Sequence, residues 1–375
     1  MLSKFDDYPV HQTAEPVFHT ASSDHNTYDR FWYNAHARDG SFYFGVGLCR
    51  YPNLGILDCG LSLAIDGRQY AFHGSRRAPL EPTDTTVGPF ALEILEPMGR
   101  HRVRIESNDT GIECDLLFTP YTACIEEGRQ TLRNQRHMIM DVTRLDQFGF
   151  WEGWIAYDGK RLEVDGRSTF GLKDRSWGVR PVGDSYGGGA PRAEFQAIHF
   201  NWMPIHWEDE CSLAGWFEDG TGNQWHTDQG FLPRYSAMEE IPGTNDPGSY
   251  LWQGKVKHAI TMIPGTRRAS SAVITMQDRS GEVMEVTLEP VLVHRMKGLG
   301  YQHPVWGHGK WQGELAIAGE SWTDSELDPL ALENIHIQQI VKATCGDRVG
   351  HGVLEQLHIG PSTTLGFADW FDGAS

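Results

Sequence analysis

The chain has 375 residues, more than one hydrophobic core usually serves, so two domains are expected. Fifty acidic against 32 basic residues leave a net charge of −18, which argues against nucleic acid and anionic membranes as partners, since phosphate contacts need clustered Lys and Arg. No run of about 18 apolar residues occurs, so no membrane-spanning helix is expected.

The opening "MLSKFDDYPVHQTAEP" has no apolar core of signal-peptide length, and a cytoplasmic protein is expected. The six cysteines are scattered without a C-x-x-C pair, which points to free thiols. With 13 Trp, 12 Tyr, 17 Phe and 42 Gly, composition favours strands and turns over helices.

In chain order, "SDHNTYDRFWYNAH" alternates from Tyr28, so Tyr28, Arg30, Trp32, Asn34 and His36 share one strand face. Such a face is either a water-facing edge or the lining of a polar cavity. The apolar "SFYFGVGLCRYP" that follows favours lining, and Asp29 with Arg30 can form an ion pair. Hairpins are expected at Leu61–Phe72 and Gly153–Gly166, each around an Asp-Gly turn. Further hairpins are expected at His101–Phe118, Ser212–Thr227 and Ser271–Val291.

"FGLKDRSWGVRP" (Phe170–Pro181) sets Asp174 between two cations. If extended, Leu172, Asp174, Ser176 and Gly178 face one way, and Lys173, Arg175, Trp177 and Val179 the other. Asp174 is then either an acceptor of nearby amides or an acid in an apolar cavity, its proton affinity raised by desolvation. The Gly- and Pro-rich stretch Arg180–Phe195 reads as a linker with its joint near Gly187–Gly189. It divides the chain into units of residues 1–182 and 191–375.

"HFNWMPIHWEDE" opens the second half with Trp202, His206 and Trp207. "YQHPVWGHGKWQGE" carries His303, Trp306 and His308 on a loop, where histidines ordering a Trp-rich turn fit better than metal ligands. No zinc spacing is present, with His336 and Glu314 the nearest further donors, and no metal is expected. "PLALENIHIQQIVKA" suits a short helix by content but alternates as a strand does. Glu355 and His358 fall on a last strand without an assigned role. There is no G-x-S-x-G elbow, P-loop or strand-following G-x-G-x-x-G, so no cofactor is expected. The pattern as a whole is all-β, as two sandwiches or barrels.

"LKDRSWG" resembles the Asp-His-x-Trp-Gly signature of the carotenoid 1,2-hydratases (hydroxyneurosporene synthases) and the related AttH-like proteins. The opening residues from Asp6 to Asp58 and "GLGYQHPVWGHGKWQGELAIAGESW" look like an uncharacterised bacterial branch of that group. The resemblance implies two lipocalin-like antiparallel β-barrels packed side by side and a cofactor-free site for hydrophobic, often isoprenoid, molecules. Its members include hydratases and cyclases, among them fungal enzymes that guide Diels–Alder cyclisation. It implies that Asp174 is the proton donor. Arg175 stands where the signature has His, and Leu172 where the hydratases tend to carry Tyr.

The expected function is therefore acid catalysis without a cofactor: hydration, isomerisation or cyclisation of an unsaturated terpenoid or lipid. Asp174 is the acid. Tyr28, Trp32, Asn34, His36, Trp177, Trp202, His303 and Trp306 are the candidate substrate contacts. The alternative is a non-catalytic carrier of a hydrophobic small molecule, and a homodimer is left open.

Overall fold

A computed structural model of the chain describes residues 2–183, 196–278 and 280–375. Strands account for 54% and helix for 4%, which decides for the all-β class. Two expected hairpins turn at Asp66-Gly67 and Asp158-Gly159. All four residues have positive φ (52°, 74°, 47° and 69°), the type I′ geometry whose twist matches the flanking strands. The segment that suited either helix or strand forms strand Ile337–Cys345.

Two antiparallel sheets carry the fold. The first runs Leu315–Thr323, Arg68–Arg77, Ile56–Ile65, Phe42–Tyr51, Thr27–Ala37, Thr169–Val179, His137–Tyr157, Glu113–Pro120, His101–Ile105, Phe90–Ile94 and Thr86–Val87. Three short strands add to His137–Tyr157. The second runs Tyr250–Trp252, Gln224–Pro233, Glu210–Glu218, Ile198–His206, Arg348–Ile359, Ile337–Cys345, Val283–Arg295, Ala269–Gln277 and Lys257–Met262. The first curls into a nearly closed barrel and the second into a half-barrel, which is the lipocalin-like pair in side-by-side contact.

Strand Leu315–Thr323 comes from the second half of the chain yet pairs with Arg68–Arg77 of the first sheet. We propose the division at 182 and 191 with this one strand crossing it. The expected joint at Gly187–Gly189 lies outside the described residues. Among the described residues, no helix is long and apolar enough to cross a membrane.

Strand Thr27–Ala37 is buried on both faces because it belongs to two cores. Tyr33 and Ala35 enter the first barrel with Phe44, Phe118 and Trp151. Trp32, one residue out of phase, packs between the lobes with Phe148, Leu172, Phe200, Trp202 and Met296. Burying each large apolar side chain there stabilises by about 1.5–3 kcal/mol. The interlobe layer is thus a third core, built from the outer face of one barrel and the adjacent face of the other.

Candidate functional site

Strand register aligns Asp146, Asp174, Trp32, Gly47, Gly60 and His73 in one transverse row across the first sheet. Directly opposed residues of antiparallel strands share a face. This row lies on the face that meets the second lobe, where Trp32 and Trp202 contact edge to face with ring centroids 6.0 Å apart. Alternation along Thr169–Val179 then sends Lys173 and Arg175 to the other side. Lys173 is buried against Phe118, and Arg175 bonds Asp29 at 2.6 Å.

Asp174 sits at the centre of a charged cluster, its side chain 13% exposed. The Arg144 guanidinium lies 3.4 Å from Asp174 and 3.4 Å from Glu127. Glu127 also accepts from Trp202 Nε1 (3.1 Å) and Gln130 Nε2 (3.0 Å). Burial raises the Asp174 proton affinity, Arg144 pulls it back, and the result is a carboxyl raised to about 6. Burial, then the neighbouring Glu127 and Asp174, raise fully buried Asp146 well above the usual carboxylate range. Burial works against the Arg144 charge, but Asp174 and Glu127 more than offset it.

Several buried polar atoms of this cluster have no hydrogen-bond partner, namely Asp174 Oδ1, Trp32 Nε1 and Gln130 Oε1, while the Asp146 carboxyl faces that of Glu127. Glu127 also lines a broad groove of about 730 Å³ between residues 124–129 and 245–253, a volume of ligand size. The groove brings the surface to the edge of the buried cluster.

The second lobe closes the cluster from the other side. Glu355 accepts from His336 and Gln338, both at 2.6 Å, and Gln338 in turn accepts from Tyr43 (2.7 Å) and Asn34 (3.4 Å) of the first sheet. Tyr301 packs edge to face on His336 and lies under the Arg30 guanidinium, 4.5 Å from its ring centre.

At the far end of the row, His73, His303 and Glu320 bring three potential ligand atoms within 4.8 Å of one another. His303 Nδ1 accepts the amides of Val305 (3.1 Å) and Trp306 (2.8 Å), so its proton is on Nε2, which donates to Glu320 at 3.0 Å. A metal at that Nε2 would require the ring to lose its last proton. The cluster therefore orders the 303–306 turn, with Trp306 stacked on His73 at 5.5 Å. Burial would raise Glu320, but the two histidine bonds prevail and hold it at about 2.

A family described as a family of unknown function, DUF8625, matches residues 2–368. The chain belongs to this family. No curated protein matches the sequence. In structure, this DUF8625 chain is similar to kievitone hydratase from Nectria haematococca, at 12% identity over 88% of each chain, with a TM-score of 0.52. It is also similar to CghA with Sch210972, at 10% identity over 89% of this chain and 88% of that one, with a TM-score of 0.50. At such identities the likeness is one of fold, and it extends over both lobes.

Of the candidate residues, the DUF8625 fold brings Asp174, Trp32, Asn34 and Trp202 to the interlobe layer, while Tyr28 packs beside it with Cys49, Tyr51, Ile56 and Val142. Asn34 is committed there, its Oδ1 accepting the Leu172 amide while its Nδ2 reaches Gln338. His36 lies on the same strand face but against His206 and Phe170. His303 and Trp306 stand at the other end of the row. Trp177 does not join them: it is 40% exposed, on the face away from Asp174. The Asp29–Arg30 ion pair does not form, because consecutive strand residues point oppositely; Asp29 pairs with Arg175 instead.

Sequence reasoning missed Arg144, Asp146 and Glu127. "TRLDQF" does hold a period-2 signal, with Arg144, Asp146 and Phe148 on one face, of the same kind as the strand around Asp174. Glu127 follows a strand of only two residues, Ile125–Glu126, and has no such signal.

Proposed function

We propose that this chain is a cofactor-independent acid catalyst that hydrates, isomerises or cyclises an unsaturated hydrophobic substrate, with Asp174 as the proton donor. One observation supports this above the rest: Asp174 is a nearly buried carboxyl beside aromatic rings, its proton affinity raised to about 6. A general acid works best when it titrates near the ambient pH. The Trp32 and Trp202 rings supply faces that favour a developing cation. Arg144 stabilises the carboxylate left after the proton departs.

The likeness to a protein named for hydration favours hydration, and the resemblance of "LKDRSWG" to the hydratase signature favours an isoprenoid or other terpenoid substrate. The two departures from that signature have defined places here. Leu172 is packed in the interlobe core and Arg175 is tied to Asp29, so the second polar group must come from neighbouring strands. A carrier holding its ligand inside the first barrel is less well supported, since Tyr33, Phe44, Phe118 and Trp151 fill that interior.

The test is to incubate the full chain with unsaturated isoprenoids and unsaturated lipids in deuterated water and follow products by mass spectrometry. The proposal expects solvent deuterium on carbon with the wild type and not with Asp174→Asn. Undiminished labelling by the variant would reject it.

A further inference from the structure

A buried charge is costly without a counter-charge, so an unpaired one points to a partner from outside the chain. Among the described residues, Arg30, Arg267 and Arg295 are each 3% exposed. Arg267 donates to the Asp372 carboxylate and to the carbonyls of His358, Gly360, Asp369 and Asp372. Arg295 donates to Asp324 and to the Asn334 carbonyl. The Arg30 guanidinium instead lies over the Tyr301 ring, 4.5 Å from its centre, and pairs with no carboxylate among the described residues.

Arg30 stands one row beyond Asp174 on the same sheet face, in the line Arg144, Ser176, Arg30, Cys49, Asp58 and Ser75. Two residues along a strand span about 7 Å. Arg30 borders a small cavity of about 20 Å³ that Gly47, Cys49, Tyr51 and His308 also line. That volume takes roughly one water or one ligand oxygen. The cavity meets the interlobe core at Leu299, and a Cβ at Gly47 would find nothing within 4 Å. Gly47 lies beside Trp32 and Trp32 beside Asp174, so two strand spacings, about 10 Å, separate the cavity from the acid.

Arg180 brings a second guanidinium. It lies over Tyr28 (4.7 Å) and the same Tyr301 ring (5.7 Å), its Nη2 is 3.3 Å from His308 Nδ1, and its Nε has no partner. His308 Nε2 donates to the Leu299 carbonyl at 2.8 Å, which leaves Nδ1 to accept from Arg180. Burial and the two arginines keep that ring neutral. Among the described residues no anion bonds this pair of cations. Burial holds Cys49, raised to about 11, and the Tyr51 and Tyr301 phenols in their protonated forms. Asp58 is engaged by Ser75 and the Gly309 amide, Asp174 by Arg144, and Glu355 by His336 and Gln338.

Two guanidiniums at a cavity of that size suit a carboxylate, which accepts charge-assisted bonds; a phosphate ester, with more terminal oxygens, would overfill it. We propose that the ligand is an unsaturated hydrophobic acid, its carboxylate held by Arg30 in this cavity while Arg180 adds its charge from behind His308. The apolar chain then passes Gly47 and Trp32 toward Asp174. Turnover of such an acid rests on the Asp174 reading; its binding does not.

The probes are two matched pairs, farnesoic acid with farnesol and oleic acid with oleyl alcohol. In calorimetry on the full chain at about pH 8, at least one acid should bind about tenfold tighter than its alcohol or better, the worth of one charge-assisted bond. Arg30→Met should erase most of that preference, and Arg30→Lys should keep part of it. Asp174→Asn should keep it while abolishing deuterium labelling, which separates failure of the carboxylate proposal from failure of the catalytic one. Equal affinities within both pairs, no binding of any of the four, a preference intact in Arg30→Met, or farnesyl phosphate binding tighter than either acid would overturn the proposal. Melting without ligand keeps the test independent of folding. Arg30→Met should melt at or above the wild-type temperature, because no acceptor loses its donor, whereas Arg295→Met strips Asp324 of its partner and should melt lower. A clear drop for Arg30→Met would make its guanidinium part of the fold's own bonding and would also overturn the proposal.

Discussion

Asp146 and Asp174 stand directly opposite each other on adjacent antiparallel strands. Like charges in that position destabilise a sheet, and here the pair is covered by a second lobe. Two features make it tolerable: burial and the neighbouring Glu127 and Asp174 carboxyls push Asp146 toward its neutral form, and Arg144 reaches Asp174 and Glu127 together.

Replacing that guanidinium should be costly. Arg144→Gln leaves Asp174 and Glu127 without their shared counter-charge, and the loss should be about 3–5 kcal/mol near pH 8. Asp174 takes up a proton below about 6, so the loss should shrink at pH 5. Urea unfolding at the two pH values reads the difference, and an equal loss at both would show that Arg144 is not there for charge.

The two interlobe tryptophans offer a matched comparison. Trp202→Phe and Trp32→Phe remove the same atoms, but only Trp202 gives up a bond, the one to Glu127. The Trp202 variant should be less stable than the Trp32 variant by about 1–3 kcal/mol. Equal denaturation midpoints would mean that the Trp202–Glu127 bond contributes nothing.

Asp58 should make a pH-dependent contribution to stability. Burial raises it to about 7 although Ser75 (2.6 Å) and the Gly309 amide (2.8 Å) donate to it. A carboxyl raised on folding contributes stability that is fully present below about pH 4 and is lost as pH rises through about 7. Wild-type stability relative to Asp58→Asn should therefore fall across that window, by at most about 1.4 kcal/mol per pH unit. Parallel melting curves for the two proteins between pH 4 and 8 would contradict this.

Glycines on the same sheet should differ sharply. A Cβ at Gly47, beside Trp32 in the row, would meet no atom within 4 Å, whereas one at Gly149 would run into the Thr119 carbonyl. Gly47→Ala should be neutral or stabilising by up to about 1 kcal/mol, and Gly149→Ala should cost about 1–3 kcal/mol. Thermal melts of both variants check the contrast.

Period-2 alternation was enough to place Tyr28, Arg30, Trp32, Asn34 and His36 on one face, and Asp174 on the face opposite Lys173 and Arg175. It could not tell which surface that face would meet, because burial there comes from Phe200, Trp202 and Glu355 of the other lobe. Asp-Gly turns were legible because positive φ at both positions is a local demand. The pairing of Leu315–Thr323 with Arg68–Arg77 was not, since register between strands so far apart in the chain leaves no local mark. Glu127 escaped for the same reason: its role exists only through Arg144, Asp146 and Trp202. Trp177 was drawn into the site by its neighbour Asp174, although strand geometry turns the two apart.

The most direct measurement compares turnover and melting of wild type and Asp174→Asn in one preparation, with a substrate identified by deuterium labelling. The substitution keeps shape and removes the transferable proton. Turnover should fall by roughly 10²–10⁴ with ligand affinity and melting temperature little changed. Full turnover with a melting temperature lowered by the loss of a charge-assisted bond would instead make Asp174 a structural partner of Arg144 and contradict the account.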